Sequence, residues 1–401
     1  MRSLLPAILF SAFVTTLFAQ DIPDSCRTGD WFQLRMRADH GETSLLCKGV
    51  ADAAFERPSA ALHELHAVIR RGPRSPDSFD AHGALIGMYF REGRYRKALK
   101  QVDLALAEKP DAGDLNAFRP MVAALAVGPD QRVARRRPGL VHSEIIDDNL
   151  FAPVTVNGVS GTYILDTGAN FSVLCESEVK RLGLKLREPT ITLSDGSGLP
   201  SAARVAVASD LWIGGVHLKH VAFSVAPDAN FADWPAGHKG ILGIPVLLAL
   251  QSLRVENEDR IAIGGVSTPR DHAIPIAFDI AFPLVQIPID GKPLSFFLDT
   301  GAAHTWLYKP FGDAFPERMK EGKAEAYEIR GVSGSTMQEA LKLPSVTFPF
   351  ARGVEFAPAT VIMTTPTDAS RWAAGNLGFN LLVKALPFTI DFRTMQLSFD
   401  R

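Results

Sequence analysis

Cysteine is scarce in this 401-residue chain, which has only Cys26, Cys47 and Cys175. Three thiols cannot build a disulfide scaffold, so a hydrophobic core has to carry the fold. Export would permit Cys26 and Cys47 to pair across the first segment, while Cys175 sits in the apolar run Phe171 to Cys175 and reads as a small buried side chain. An excess of charge of one sign is also lacking. The 42 Lys and Arg against 44 Asp and Glu leave a formal net charge of -2, with no basic field for nucleic acid, so no nucleic-acid partner is expected. Beyond the first twenty residues no apolar run approaches the length of a membrane span, and the mature chain is expected to make no stable membrane insertion. The Gly-x-Ser-x-Gly elbow, the His-Glu-x-x-His helix, the Walker loop and the Rossmann glycine fingerprint are all missing, which removes the chemistries that each supports. His63 and His66 are three apart on a helical pattern but have no second ligand pair. His217 and His220 are three apart on an alternating strand, hence on opposite faces, so no metal site is expected.

At 46% hydrophobic and 21% charged residues the composition is that of an ordinary globular protein, and its length predicts two or three packed units. Residues 1–19 read as a secretory signal peptide: Met1-Arg2, an uncharged run from Leu4 to Phe18, and Ala19 before polar Gln20 and Asp21. The expected location is therefore outside the cytoplasm, periplasmic or secreted. Residues 20–128 are assigned to a helical segment. The pattern is clearest from about 40 to 112, where Leu85, Tyr89, Ala98, Leu99, Val102 and Ala105 recur at helical spacing, Gly93 splits the run and Pro110 stops it. The stretch Ala81 to Pro110 resembles a tetratricopeptide repeat, with a weaker copy through Gly49, Ala61, Leu65 and Pro73. Two such repeats bury too little surface to stand alone, so the helices are expected to pack on the rest of the chain or to receive a protein partner. Residues 129–144, with Arg132, Arg135, Arg136 and Arg137 beside prolines, read as a solvated linker.

From about residue 140 the period becomes that of short β-strands, and the segment occurs twice, predicting lobes at 145–268 and 269–401. In the first copy Val154 to Val156 is followed by Asn157-Gly158, Tyr163 to Leu165 and Asp166-Thr167-Gly168-Ala169. In the second, Val285 to Ile289 is followed by Asp290-Gly291, Phe296 to Leu298 and Asp299-Thr300-Gly301-Ala302. Asn-Gly and Asp-Gly are strong hairpin signals, and each lies nine residues before its aspartate. Gly240-Ile241-Leu242-Gly243 and Gly375-Asn376-Leu377-Gly378 recur 77 and 79 residues after the aspartates, each followed by a short apolar helix pattern and a closing hairpin.

Two carboxylates brought together across a pseudo-twofold axis cannot both ionise easily, so one keeps a proton while the other stays charged. Such a pair is an acid and a base ready to activate water, with Asp166 and Asp299 in the catalytic roles and no metal or organic cofactor required. Thr167 and Thr300 can hydrogen-bond across a close interface, and Gly168 and Gly301 leave room for backbone amides to approach the carboxylates.

With these motifs the region from about 145 to 401 resembles the pepsin and retropepsin clan of aspartic peptidases. Ile164 to Ala169 and Phe297 to Ala302 look like the retroviral form of the motif, while two lobes in one chain is the pepsin-like arrangement. The resemblance implies a mainly β, two-lobed acid-peptidase fold and an aspartic endopeptidase acting on polypeptides. The alternative is an inactive peptide-binding or scaffold protein on the same fold. It also implies Leu242-Gly243 and Leu377-Gly378 threading behind the active-site loops, and a flap over the substrate. The flap candidates are Gly196, Ser197 and Gly198 in the first lobe and Gly331, Ser333 and Gly334 in the second. Pepsin-like enzymes usually carry Ser or Thr where this chain has Ala169 and Ala302. Loss of those hydroxyl donors predicts a more tightly held proton and a less acidic working range.

Overall fold

The computed structural model describes residues 22–26, 30–194, 200–232, 234–235, 237–265, 273–331, 334–350, 353–357, 359–362 and 373–400. The proposed signal peptide and its cleavage site lie outside them. Six helices come first: α1 (Trp31–Asp39), α2 (Leu45–Ala54), α3 (Pro58–Arg71), α4 (Pro76–Arg91), α5 (Tyr95–Glu108) and α6 (Gly113–Leu125). Asp30, Ser44 and Ser75 each cap a helix by accepting backbone N–H bonds, which supplies partners for groups a helix start leaves unpaired. Gly93 has φ +70° between α4 and α5, a conformation glycine adopts without steric cost. The helices reach further than the pattern from 40 to 112 suggests. α6 runs through Pro120 because Leu115, Phe118, Met121, Val122 and Leu125 still bury one face. Cys26 and Cys47 are disulfide-bonded, with Cα atoms 5.2 Å apart, and Cys175 is free and buried.

The remainder is mainly β, arranged as a nine-stranded sheet, a thirteen-stranded sheet and a two-stranded ribbon among the described residues. The hairpin Asn149–Val156 and Val159–Leu165 turns at Asn157 (φ +48°) and Gly158 (φ +83°). Its counterpart, Phe282–Ile289 and Lys292–Leu298, turns at Asp290 (φ +47°) and Gly291 (φ +78°). Both turns therefore use the left-handed pair that the Asn-Gly and Asp-Gly signals predict. Behind each hairpin the glycine motif forms a strand parallel to it, pairing Leu242 with Leu165 and Leu377 with Leu298. The two closing hairpins pair with each other, Ser252–Asn257 lying antiparallel to Phe388–Asp391. Arg260–Ile263 and Gln396–Phe399 flank that pair, and Gly139–His142 and Ile274–Asp279 lie outside them in matching places.

The solvated linker expected at 129–144 is instead largely strand. Arg132–Arg136 forms one edge of the nine-stranded sheet against Val216–Ala226, and Gly139–His142 forms the outer strand of the thirteen-stranded sheet. Residues 132 to 135 are exposed, so the composition correctly reported solvated side chains but not backbone pairing on one side. Charged residues suit an edge strand because they discourage further strand addition.

The helices dock on the β-region. α1 and α2 approach Ile274–Asp279, α4 approaches the helix Ile244–Leu250, and α6 lies along Leu186–Ser194 and Pro200–Ile213. One continuous apolar cluster links Leu46, Leu65, Leu85 and Val122 of the helices to Ala169, Phe171, Phe297 and Ala302 beside the paired aspartates. Polar ties fix the orientation. Asp30, while capping α1, accepts from Gln286 Nε2 at 2.6 Å and Ser295 Oγ at 3.1 Å. Arg91 donates to the Ile280 carbonyl at 3.0 Å.

Candidate active site

Each hairpin strand delivers its aspartate into the loop that follows, and the parallel glycine-motif strand holds the loop from behind. Asp166 N donates to Leu242 O at 3.0 Å and Asp299 N to Leu377 O at 3.1 Å. Ile244 N bonds Ala169 O at 2.8 Å, and Phe379 N bonds Ala302 O at 2.7 Å. A hydroxyl six residues after each acid completes the match: Ser172 Oγ accepts from Gly243 N at 3.1 Å, and Thr305 Oγ1 from Gly378 N at 3.0 Å. Gly243 admits no side chain, since a Cβ there would lie 2.6 Å from Ala169 O. The expected threading of the Leu-Gly pairs behind the acid loops is present in both lobes.

The two loops interlock. Thr167 N donates to Thr300 Oγ1 at 3.0 Å and Thr300 N to Thr167 Oγ1 at 2.9 Å. Across the same interface Thr167 Oγ1 donates to Leu298 O and Thr300 Oγ1 donates to Leu165 O, both at 2.6 Å. Both threonines are fully buried, so every one of these bonds is made away from water. The glycines let their own amides reach the carboxylates, as expected, and have a second role. A Cβ on Gly168 would lie 2.5 Å from Asp299 Oδ1, and one on Gly301 would collide with the Asp166 carboxyl. Each glycine therefore makes space for the acid of the opposite lobe.

Asp166 and Asp299 are buried at 0% and 1% exposure. Burial, then the neighbouring Asp299 charge, holds the Asp166 carboxyl well above the usual carboxylate range, against the opposing pull of the Gly168 and Ala169 N–H groups. Gly168 N donates to Asp166 Oδ1 at 2.8 Å, while no donor N–H or neutral O–H among the described residues reaches its Oδ2. A bond between two carboxyls needs a proton on one of them, and the Asp299 charge beside Asp166 favours keeping that proton. Asp299 is better supplied: Gly301 N and Ala302 N each donate to Oδ1 at 3.0 Å, and Asn376 Nδ2 donates to Oδ2 at 2.9 Å. The phenol of Tyr308 is pushed up by burial and by the facing Asp299 charge.

Asn376 is the site residue that the sequence pattern did not single out. It replaces the isoleucine of the first glycine motif, and that lobe difference was the available signal. It gives Asp299 a side-chain donor where Ala302 offers no hydroxyl. Of the flap candidates, Gly196, Ser197, Gly198 and Ser333 lie outside the described residues. Gly331 and Gly334 pair with each other at the end of the hairpin Lys323–Gly331 and Gly334–Leu343. Tyr327 on that hairpin meets the edge of Trp306, ring centroids 5.4 Å apart.

A family model described as aspartyl protease matches residues 152–246. No curated protein sequence matches the chain. Similar solved structures include an aspartic proteinase from Irpex lacteus, at 14% identity and TM-score 0.42 over 65% of this chain and 96% of that one. Basic 7S globulin from soybean aligns at 11% identity and TM-score 0.39 over 66% and 95%. A retropepsin-like aspartic protease from Rickettsia conorii aligns at 18% identity and TM-score 0.24 over 33% and 94%. The stretch that matches the aspartyl protease family is the body of the first lobe, and it contains Asp166, Thr167 and Gly168.

Proposed function

We propose that this chain is an exported aspartic endopeptidase that hydrolyses polypeptides with water activated between Asp166 and Asp299. The observation that carries the proposal is the pair of buried, facing carboxyls locked by reciprocal Thr167 and Thr300 bonds. Asp299, as carboxylate, draws a proton from water while the water oxygen bonds the substrate carbonyl carbon. Asp166 gives its proton to the carbonyl oxygen, forming a neutral gem-diol. On collapse Asp299 returns its proton to the departing nitrogen, Asp166 takes one back from the gem-diol, and the C–N bond breaks. No covalent acyl-enzyme forms, and both acids end as they began.

Export is supported by the Cys26–Cys47 disulfide, a bond that persists in oxidising compartments. No helix among the described residues is long and apolar enough to cross a membrane. The paired helices α2–α3 and α4–α5 fit the tetratricopeptide-like reading, and their outward faces are the proposed site for a protein partner.

Incubation of the purified chain with a peptide library across pH, with and without a pepstatin-type inhibitor, tests the proposal. Inhibitor-sensitive cleavage is expected, and Asp299→Asn should lower kcat by at least about 10²-fold, the lower range of general acid–base contributions. Unchanged cleavage in a folded Asp299→Asn protein, or none by wild type at any pH, would favour a peptide-binding scaffold.

A further inference from the structure

The two lobes repeat each other closely around the acids, yet one side chain breaks the symmetry. Backbone N–H groups serve both carboxyls: Gly168 donates to Asp166, and Gly301 and Ala302 donate to Asp299. Beyond these, among the described residues only Asp299 has a side-chain amide, Asn376 Nδ2, bound at 2.9 Å to Oδ2. Asn376 lies on the strand Gly375–Leu377, opposite Phe297 and Trp306. At the matching place in the first lobe, opposite Ile164 and Val173, stands Ile241, which has no donor.

Asn376 is fully buried, and its Oδ1 has no hydrogen-bond partner among the described residues. A buried amide with half of its capacity unmet is unfavourable, and an isoleucine fills the equivalent position without that cost. Packing therefore does not account for asparagine here. Its Nδ2 can donate to a carboxylate, so the amide stabilises the ionised form of the acid it touches. Among the described residues, Asp166 faces Asp299 across the interface and Tyr308 faces it from the strand Trp306–Tyr308; a neutral phenol adds no competing charge.

We infer that Asn376 is a positioning residue that fixes the polarity of the acid pair, holding Asp299 as the carboxylate and leaving the shared proton on Asp166. This rests on the peptidase reading for its consequence in catalysis, but not for the protonation order itself. Asp299 is then always the base toward water and Asp166 always the acid toward the carbonyl, rather than the two exchanging these roles between free molecules.

The test follows the aspartate side-chain carboxyls by ¹³C NMR against pH in the full chain, with Asp166→Asn and Asp299→Asn used to assign the signals. In wild type Asp299 should ionise first and Asp166 later; the reverse order overturns the inference. In Asn376→Leu, close in shape, the first ionisation of the pair should move up by about one pH unit, a tenfold change in its constant. The acid limb of kcat/KM should move with it. Introducing Ala302→Ser into that variant should move both back, since a hydroxyl replaces the lost donor. A folded Asn376→Leu protein that is less stable but titrates as wild type does would make Asn376 merely structural. If wild type cleaves no peptide, the peptidase reading fails, and the NMR order still decides the role of Asn376.

Discussion

Gly301 shows how tightly single residues constrain the paired acids. Its Cα approaches the Asp166 carboxyl so closely that the first atom of any side chain would overlap it. Gly301→Ala must therefore push the loops apart or tilt Asp166 away from Asp299. The expected result is a stability loss of about 1–3 kcal/mol, the usual range for overpacking, together with loss of peptide cleavage. Urea denaturation and a cleavage assay on the same preparation check both parts. The Asp-Thr-Gly-Ala motif identifies this glycine as special, but the residue that demands it lies 135 positions away in the opposite lobe. Asn376 is similar. It was visible only as a departure from Ile241, and its partner Asp299 is 77 residues earlier.

At the scale of elements, α1 shows how the helical segment is joined to the second lobe. One carboxylate performs two tasks: Asp30 Oδ1 caps α1 through Phe32 N and Gln33 N, and Oδ2 binds Gln286 and Ser295 on the hairpin that leads to Asp299. Asp30→Ala removes the cap and leaves two docking groups without their partner, and is expected to cost about 2–4 kcal/mol. Asp30→Asn keeps an acceptor for the cap and should recover part of that loss. Denaturation midpoints of the three proteins check the order. The helices were legible because their period of 3.6 is local. The strand Arg132–Arg136 was not, because the chain it pairs with begins at Val216 and nothing in an arginine-rich run announces that partner.

For the molecule as a whole, acid stability follows from where its carboxyls are buried. Asp279 lies under the helical segment at 7% exposure, and burial raises its carboxyl to about 7 despite the opposing hydrogen bond from Trp31. Folding favours the neutral form. Its contribution is therefore complete below the ordinary carboxylate value of 3.8, declines as pH rises from there, and is lost above about 7. A shift of this size corresponds to roughly 4 kcal/mol between the two ends of that range. Asp166 is displaced in the same direction and adds to the slope. Asp279→Asn, which keeps an acceptor for Trp31, is expected to stabilise the protein at pH 8 and to leave stability at pH 3.5 nearly unchanged. Chemical denaturation of both proteins across pH reads the difference, and parallel curves would show that Asp279 is not the group responsible.

By itself the sequence determined the repeated order of turn, acid and glycine pair, because each signal is a local backbone demand: positive φ at Asn157-Gly158 and Asp290-Gly291, and a side-chain-free approach at Gly243 and Gly378. It also determined the mainly β body with helices before it, through the change from helical to alternating period. Tertiary structure alone decided which groups meet between those repeats. The Thr167–Thr300 exchange, the placement of each glycine against the opposite acid, the edge strand at Arg132–Arg136 and the amide of Asn376 on Asp299 all join residues that are distant in the chain. Local propensity carries no information about such partners. Only folding brings the two halves close enough for their charges and hydrogen bonds to act on each other.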